Sequence, residues 1–274
     1  MALVRPFTAL VYDRARVELG RVLAPPYDVI DAADRARLAA RDPHNVVRLI
    51  LPEDGPEKYA RAATLLEEWV REKILVRGPE SAVWVHAHEF DAPQGGGAGG
   101  GARLTRAGVW AAVRLVELDG GVVLPHERTF AGPKADRLAL LRACRTQLSP
   151  IFFIAEDPSG GIADAVASLA EEKPDAVAEF PAGERHAVRR LTGARAAGLA
   201  GLLGSGRLLI ADGHHRYETA LAFRDEVRES GAKLPGADFV LACIVSERDE
   251  GLRLLPTHRT VAWLPALEPE TALE

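Results

Sequence analysis

The 274-residue sequence predicts a mixed α/β (α+β) fold, a mixed sheet with flanking helices. Segments with the two-residue period of a strand alternate along the chain with segments of helical period. Apolar residues make up 47% and charged residues 27%, enough to fill a core and cover it with a polar surface. No apolar run approaches the roughly 20 residues of a membrane span. The interrupted start MALVRPFTAL lacks a secretory core, so a cytoplasmic protein is expected. The length suits one elaborated domain over 1–264, with lobes 1–146 and 147–264 as its subdivision.

Taken in order, VVRLIL (46–51) reads as a buried strand. Gly55-Pro56 then opens a helix from about Glu57 to Lys73. Its Tyr59, Ala62, Leu66, Trp69 and Val70 recur at helical spacing and put Trp69 in the core. AVWVHAHEF (82–90) alternates as a strand, with Val83, Val85 and Ala87 on one face. His86 and His88 share the other face; the spacing suits a metal, but two solvated histidines are the expectation. GGGAGGGA (95–102) is low-complexity glycine between AVWVHAHEF and a second strand pattern, AGVWAAVRLVEL, and predicts the tip of a long hairpin. KADRLALLRACR (134–145) is an amphipathic helix, SPIFFIA (149–155) a buried strand, IADAVASLAEE (162–172) a helix and RHAVRRL (185–191) a charged strand. RLLIA (207–211) and FVLACIVS (239–246) read as central strands. LRLLPTHRTVAWL (252–264) reads as a strand broken near Pro256. EPETALE, with its acidic first turn, reads as the start of a helical segment truncated at 265–274.

Several function classes drop out. Cys144 and Cys243 are far apart, belong to no C-x-x-C pair and sit among apolar neighbours, so buried thiols are expected rather than a disulfide or zinc ribbon. A net charge of −5 leaves no electrostatic footprint for nucleic acid. The chain has no G-x-x-x-x-G-K-[ST], no G-x-S-x-G and no H-E-x-x-H. Its basic residues are nearly all arginine, so a single arginine carries little weight.

The densest chemistry lies in RLLIADGHHRYETALAFRDEV (207–227). A buried strand ends, Asp212-Gly213 turns, and a helix begins near His214 with Tyr217, Ala220, Phe223 and Val227 on one face. Such a terminus presents unpaired N–H groups at the positive end of a helix dipole and suits a phosphate. His214, His215 and Arg216 stand on its first turn, which is expected to be exposed, with Asp212 as its cap. Three further polar clusters are candidates to converge on it. RVLAPPYDVI presents Tyr27 and Asp28 after a stiff double proline. VVLPHERTFAGPKADR carries His126, Glu127, Arg128, Thr129, Lys134, Asp136 and Arg137. LPTHRT carries His258 and Arg259.

APPYDVI, NVVRLILPE, LPHERT followed by KADR, ADGHHRYETAL and LLPTHRTV together resemble the motifs of the domain-of-unknown-function family 1015, in order and over nearly the whole chain. That resemblance implies helical structure beyond this C-terminus and no particular activity. ADGHHRYETAL is also similar, over about a dozen residues, to the helix start of the ParB and sulfiredoxin fold. This second likeness implies a ParB/sulfiredoxin-like core with large additions, phosphates held by Asp212, Gly213, His214, His215 and Arg216, and kinship with kinases of free serine.

The expectation is therefore nucleotide-dependent phosphotransfer to or from a small hydroxylated metabolite such as serine or its phosphate ester. Glu127, Asp28 and His215 are the catalytic candidates, with Glu127 or Asp28 accepting the hydroxyl proton. Tyr27, His126, Arg128, Arg137, His258 and Arg259 would contact substrate or neutralise charge. ATP or ADP is the expected cofactor, bringing Mg²⁺ with it rather than meeting a protein-built metal site. Two other classes fit the same residues: a nucleotide- or phosphometabolite-binding regulator without a base, and a metal-dependent hydrolase using His214, His215, His126 and Asp212.

Overall fold

Residues 1–92, 101–127 and 131–254 are described in the computed structural model. The hairpin tip over 93–100, Arg128 and Thr129, the LPTHRT segment with His258 and Arg259, and the expected helix start over 265–274 lie outside them.

The alternating segments form one nine-stranded mixed sheet among the described residues. Its strands are β1 (Val4–Arg5), β4 (Ala82–Asp91), β5 (Arg103–Arg114), β6 (Val123–Leu124), β7 (Ile151–Ala155), β8 (Ala176–Glu179), β9 (Arg185–Thr192), β10 (Leu208–Asp212) and β11 (Phe239–Ser246). The order across the sheet is β6-β10-β7-β11-β5-β4-β9-β8, and β1 pairs with the far end of β5. A small separate sheet pairs β2 (Leu10–Tyr12) with β3 (Leu75–Arg77). β4 and β5 are antiparallel neighbours in register from Trp84↔Trp110 to Asp91↔Arg103, the two arms of the expected glycine-tipped hairpin. β11 is parallel to β7 on one side and antiparallel to β5 on the other, so it joins strands from both halves of the chain.

One face of this sheet is the main core. Val83, Val85, Val109, Ala111, Phe153, Ile210 and Ile244 are buried, as strict alternation requires. Helices α6 (Gly161–Glu171) and α7 (Gly193–Leu203) add Ile162, Val166, Leu199 and Leu203 to the same cluster. A second layer holds α1 (Leu19–Val22), α2 (Ala32–Arg41), α3 (Val47–Ile50), α4 (Lys58–Arg71), α5 (Ala131–Cys144) and α8 (His214–Glu229). α5 packs against both α4 and α8. Trp69 is 2% exposed, in a cluster with Leu49, Leu66 and Leu140, the core role its spacing predicts. Both thiols are pushed up to about 11 by burial, as the apolar neighbours of Cys144 and Cys243 lead one to expect.

VVRLIL is not a strand. Its centre is the single helical turn α3, and the physical reason precedes it in sequence. The fully buried Asn45 accepts from the Val47 N–H at 3.0 Å and donates to the carbonyls of Arg21 and Leu23 at 2.7 and 2.9 Å. The backbone thereby finds local partners instead of a sheet ladder. Leu49 packs with Trp69 while Val47 and Ile50 pack with Leu38 and Phe180. A turn buried on two sides leaves the same apolar run as a strand.

Candidate functional site

β10 ends at Asp212, and Gly213 adopts the left-handed region (φ 98°) that lets the chain enter α8 at once. The first helical bond runs from the Tyr217 N–H to the Gly213 carbonyl at 2.9 Å. Gly213 is the N-cap, a residue with no side chain of its own to cap the helix. Asp212 thus does not serve as the cap. Its carboxylate instead pairs with Arg216 at 2.5 Å, one turn on. Arg216 also donates to the carbonyl of Pro150, just before β7, and its side chain is 12% exposed. His214 is buried at 4%. The expected open first turn is therefore corrected: its side chains lock α8 onto the sheet.

β6 lies parallel to β10, so the residues that follow the two strands leave the sheet side by side. This brings His126 and Glu127 to His214. The His126 N–H donates to His214 Nε2 at 3.2 Å, and His126 Nδ1 lies 2.7 Å from the Ile210 carbonyl. The two rings meet edge-on at 4.5 Å. Glu127, largely exposed, places its carboxylate 3.7 Å from His214 Nδ1 and 3.8 Å from His126 Nε2. These contacts assign the protons. His214 Nε2 accepts, so neutral His214 carries its proton on Nδ1, facing Glu127. His126 carries its proton on Nδ1, facing Ile210. Burial, reinforced by His126, holds the His214 pKa below its ordinary value, so the ring is neutral near pH 7.

The Tyr27 cluster converges on the other side of Arg216. Tyr27 begins the short 3-10 turn Tyr27–Val29, and the Arg137 guanidinium stacks 4.2 Å over its ring. Arg137 is buried, donating to the Ile50 carbonyl at 2.6 Å and paired with Asp136. Asp136 in turn accepts from Tyr59 at 2.7 Å and pairs with Lys58 at 3.1 Å; these donors hold its carboxyl down at about 2. Burial raises the Tyr27 phenol, partly offset by Arg137. A cleft of about 50 Å³ is lined by Tyr27, Arg137, Ser149, Arg216 and Thr219. Asp28 is exposed beside Tyr27. His215 is half-buried on the first turn of α8 and has a bonding partner.

His86 and His88 are not solvated. β9 pairs with β4 so that His186 stands directly opposite His88. Three imidazoles then stack nearly parallel, His88 to His186 at 4.3 Å and His86 to His186 at 5.2 Å. His86 Nε2 meets His186 Nδ1 at 2.9 Å, and His186 Nε2 meets the Phe180 carbonyl at 2.6 Å. His88 Nε2 meets Glu184 at 2.5 Å, and Arg106 donates to His88 Nδ1 at 3.3 Å. Burial, with Arg106 and the neighbouring rings, pushes His86 down to about 3. His186 and Glu184 carry no local signal in the sequence; only the β4–β9 register brings them here.

Two groups among the described residues gather enough ligand atoms within 4.8 Å to hold a metal ion: His88, Glu184 and His186, and His126, Glu127 and His214. In both, hydrogen bonds already engage ring nitrogens. His186 Nδ1 and His88 Nδ1 accept in the first, and His214 Nε2 accepts in the second. A metal would have to displace those donors.

The family model described as Protein of unknown function (DUF1015) matches residues 4–274. The chain belongs to this family. No curated protein and no solved structure matches it. Among the described residues of this DUF1015 protein, no helix is long and apolar enough to cross a membrane.

Proposed function

We propose that this DUF1015 protein is a nucleotide-dependent phosphotransferase acting on a small hydroxylated metabolite, with serine or phosphoserine as the first substrates to try. One observation carries the reading: the N-terminus of the sixteen-residue α8, entered through Gly213, begins beside the His126–Glu127–His214 group. A helix terminus of this length offers about half a positive charge and N–H donors to a phosphate. Glu127 suits a general base because its carboxylate is largely exposed, next to the neutral Nδ1–H of His214. Asp28 is the weaker candidate, since its contacts run to the Tyr27 side. In the forward step the substrate hydroxyl gives its proton to Glu127. Its oxygen bonds to the terminal phosphorus of ATP, and the bond from that phosphorus to the bridging oxygen breaks, releasing ADP. Mg²⁺ arriving with the nucleotide supplies charge neutralisation. Against the hydrolase reading stand the proton on His214 Nδ1 and the pairing of Asp212 with Arg216.

Calorimetric titration with ATP and ADP, with and without Mg²⁺, followed by mass spectrometry of serine incubations, tests the proposal. Glu127→Gln should keep nucleotide affinity within about twofold and lower turnover by about 10²–10⁴, the usual share of a general base. The absence of saturable nucleotide binding would refute the nucleotide reading, and full turnover by the glutamine variant would refute the role of Glu127.

A further inference from the structure

A larger cavity, of about 340 Å³, lies between the β1–β3 region, the end of α5, α8 and the start of β11. Its volume falls in the range of small-molecule pockets. The floor is apolar, with Leu141, Phe223, Phe239 and Leu241, and Thr146 and Gln147 add polar edges. Arg5, Arg77 and Arg145 also line it, and among the described residues no acidic residue does.

Arginine is common in this chain, so the decisive point is pairing. Four described arginines, Arg5, Arg77, Arg114 and Arg145, make no side-chain hydrogen bond or ion pair among the described residues. Three of these four line this one cavity, and Arg114 stands opposite Phe239 in the β5–β11 ladder. The Arg5 guanidinium carbon sits 3.3 Å over the centre of the Phe239 ring, a cation–π contact at the cavity wall. Arg145 follows α5 in the left-handed region (φ 46°), an uncommon conformation for a residue with a side chain, while its N–H bonds to the Leu141 carbonyl at 2.8 Å. Three segments distant in sequence thus bring like charges together around an apolar floor with no counter-ion among the described residues. Such an arrangement lowers its energy by taking up an anion.

We propose that this cavity binds a small organic anion with an apolar body, the anionic group held by Arg5, Arg77 and Arg145 and the body by Leu141, Phe223 and Leu241. The inference rests on the cavity alone and not on phosphotransfer at α8.

The test uses octyl phosphate, octanoate, neutral 1-octanol and inorganic phosphate as probes in calorimetric titrations of the full chain. Octyl phosphate and octanoate should bind saturably at one site, and octanol and inorganic phosphate at least about tenfold more weakly. Arg77→Ala and Arg145→Ala should each weaken octyl phosphate binding by about three- to tenfold, the range for exposed charged contacts. Their ligand-free melting should be unchanged, because neither side chain has a bonding partner to lose among the described residues. Arg114→Ala, outside the cavity, should bind as the wild type. Equal affinity for octanol and octyl phosphate would overturn the proposal, as would arginine variants that bind normally. Binding to anionic lipid vesicles without saturable binding of the soluble probes would overturn it in favour of a membrane surface.

Discussion

Replacing Arg216 by alanine separates what this side chain does for the fold from what it does for a bound phosphate. Two contacts are lost. The Pro150 carbonyl loses a charged donor in a part-buried place, at a cost of about 1 kcal/mol. Asp212 loses its ion pair, but its side chain is 50% exposed and solvent screening reduces that loss to about 0.5 kcal/mol. The sum, about 1.5 kcal/mol, should lower the ligand-free Tm by roughly 3–6 °C in a domain of this size. If the guanidinium also grips a phosphate, nucleotide affinity should fall by a further 1.5–3 kcal/mol, roughly tenfold to a hundredfold. Arg216→Lys keeps the charge without the planar fork and should recover only part of both losses. Asp212→Asn has the opposite sign for binding: it removes the carboxylate that competes for Arg216, so affinity should rise a few-fold while stability drops slightly. Differential scanning calorimetry without ligand and ATP titration of all three variants provide the readings. An unchanged Tm in the alanine variant would refute the lock between α8 and β7, and unchanged ATP affinity would remove Arg216 from the site.

Two further outcomes follow from buried groups. His86 is held neutral in the fold, down to about 3, whereas an unfolded histidine titrates near 6.5. Below pH 6.5 the unfolded chain takes up a proton that the native state refuses, so stability is fully present above that pH and falls by about 1.4 kcal/mol per unit on acidification. Urea midpoints should therefore drop between pH 7 and pH 5, with a shallower drop in His86→Gln; identical slopes would show that His86 protonates freely in the native state. Tyr217, fully buried, donates to the Val116 carbonyl at 2.8 Å and accepts from the Val116 N–H at 3.1 Å. Tyr217→Phe orphans both backbone groups and should cost about 2–4 kcal/mol at constant m-value; a loss below about 0.5 kcal/mol would mean that another partner takes the place of the hydroxyl.

The legible parts of this protein were those governed by local period. The spacing of Val83, Val85 and Ala87 located β4, and that of Ala62, Leu66 and Trp69 located α4, because burial on one face writes its period into the chain. Asp212-Gly213 marked the strand-to-helix turn because glycine admits the left-handed step at no steric cost. Pairing was not legible. Asn45 turns an apolar run into a helix by bonding to Arg21 and Leu23, more than twenty residues away. The His88–His186 stack depends on a cross-strand register, and neither strand announces it alone. In the same way Asp212 found Arg216 as its partner rather than capping the helix that follows it. The cavity arginines were hidden for a different reason: in so arginine-rich a chain only the absence of partners distinguishes them.

The place of β11 bears on how the chain is made. It is the last described strand to leave the ribosome, yet it belongs in the middle of the sheet, between β5 and β7. Until it arrives, both of those strands present open edges, and the nascent chain holds two sheet fragments with no strand between them. Every pairing across that seam joins distant residues, so closure waits on slow, long-range contacts rather than on local ones. Asp157, just past β7, accepts from Ser246 at 2.8 Å, where β11 ends. That buried bond forms only after the final strand has slid home along its full length.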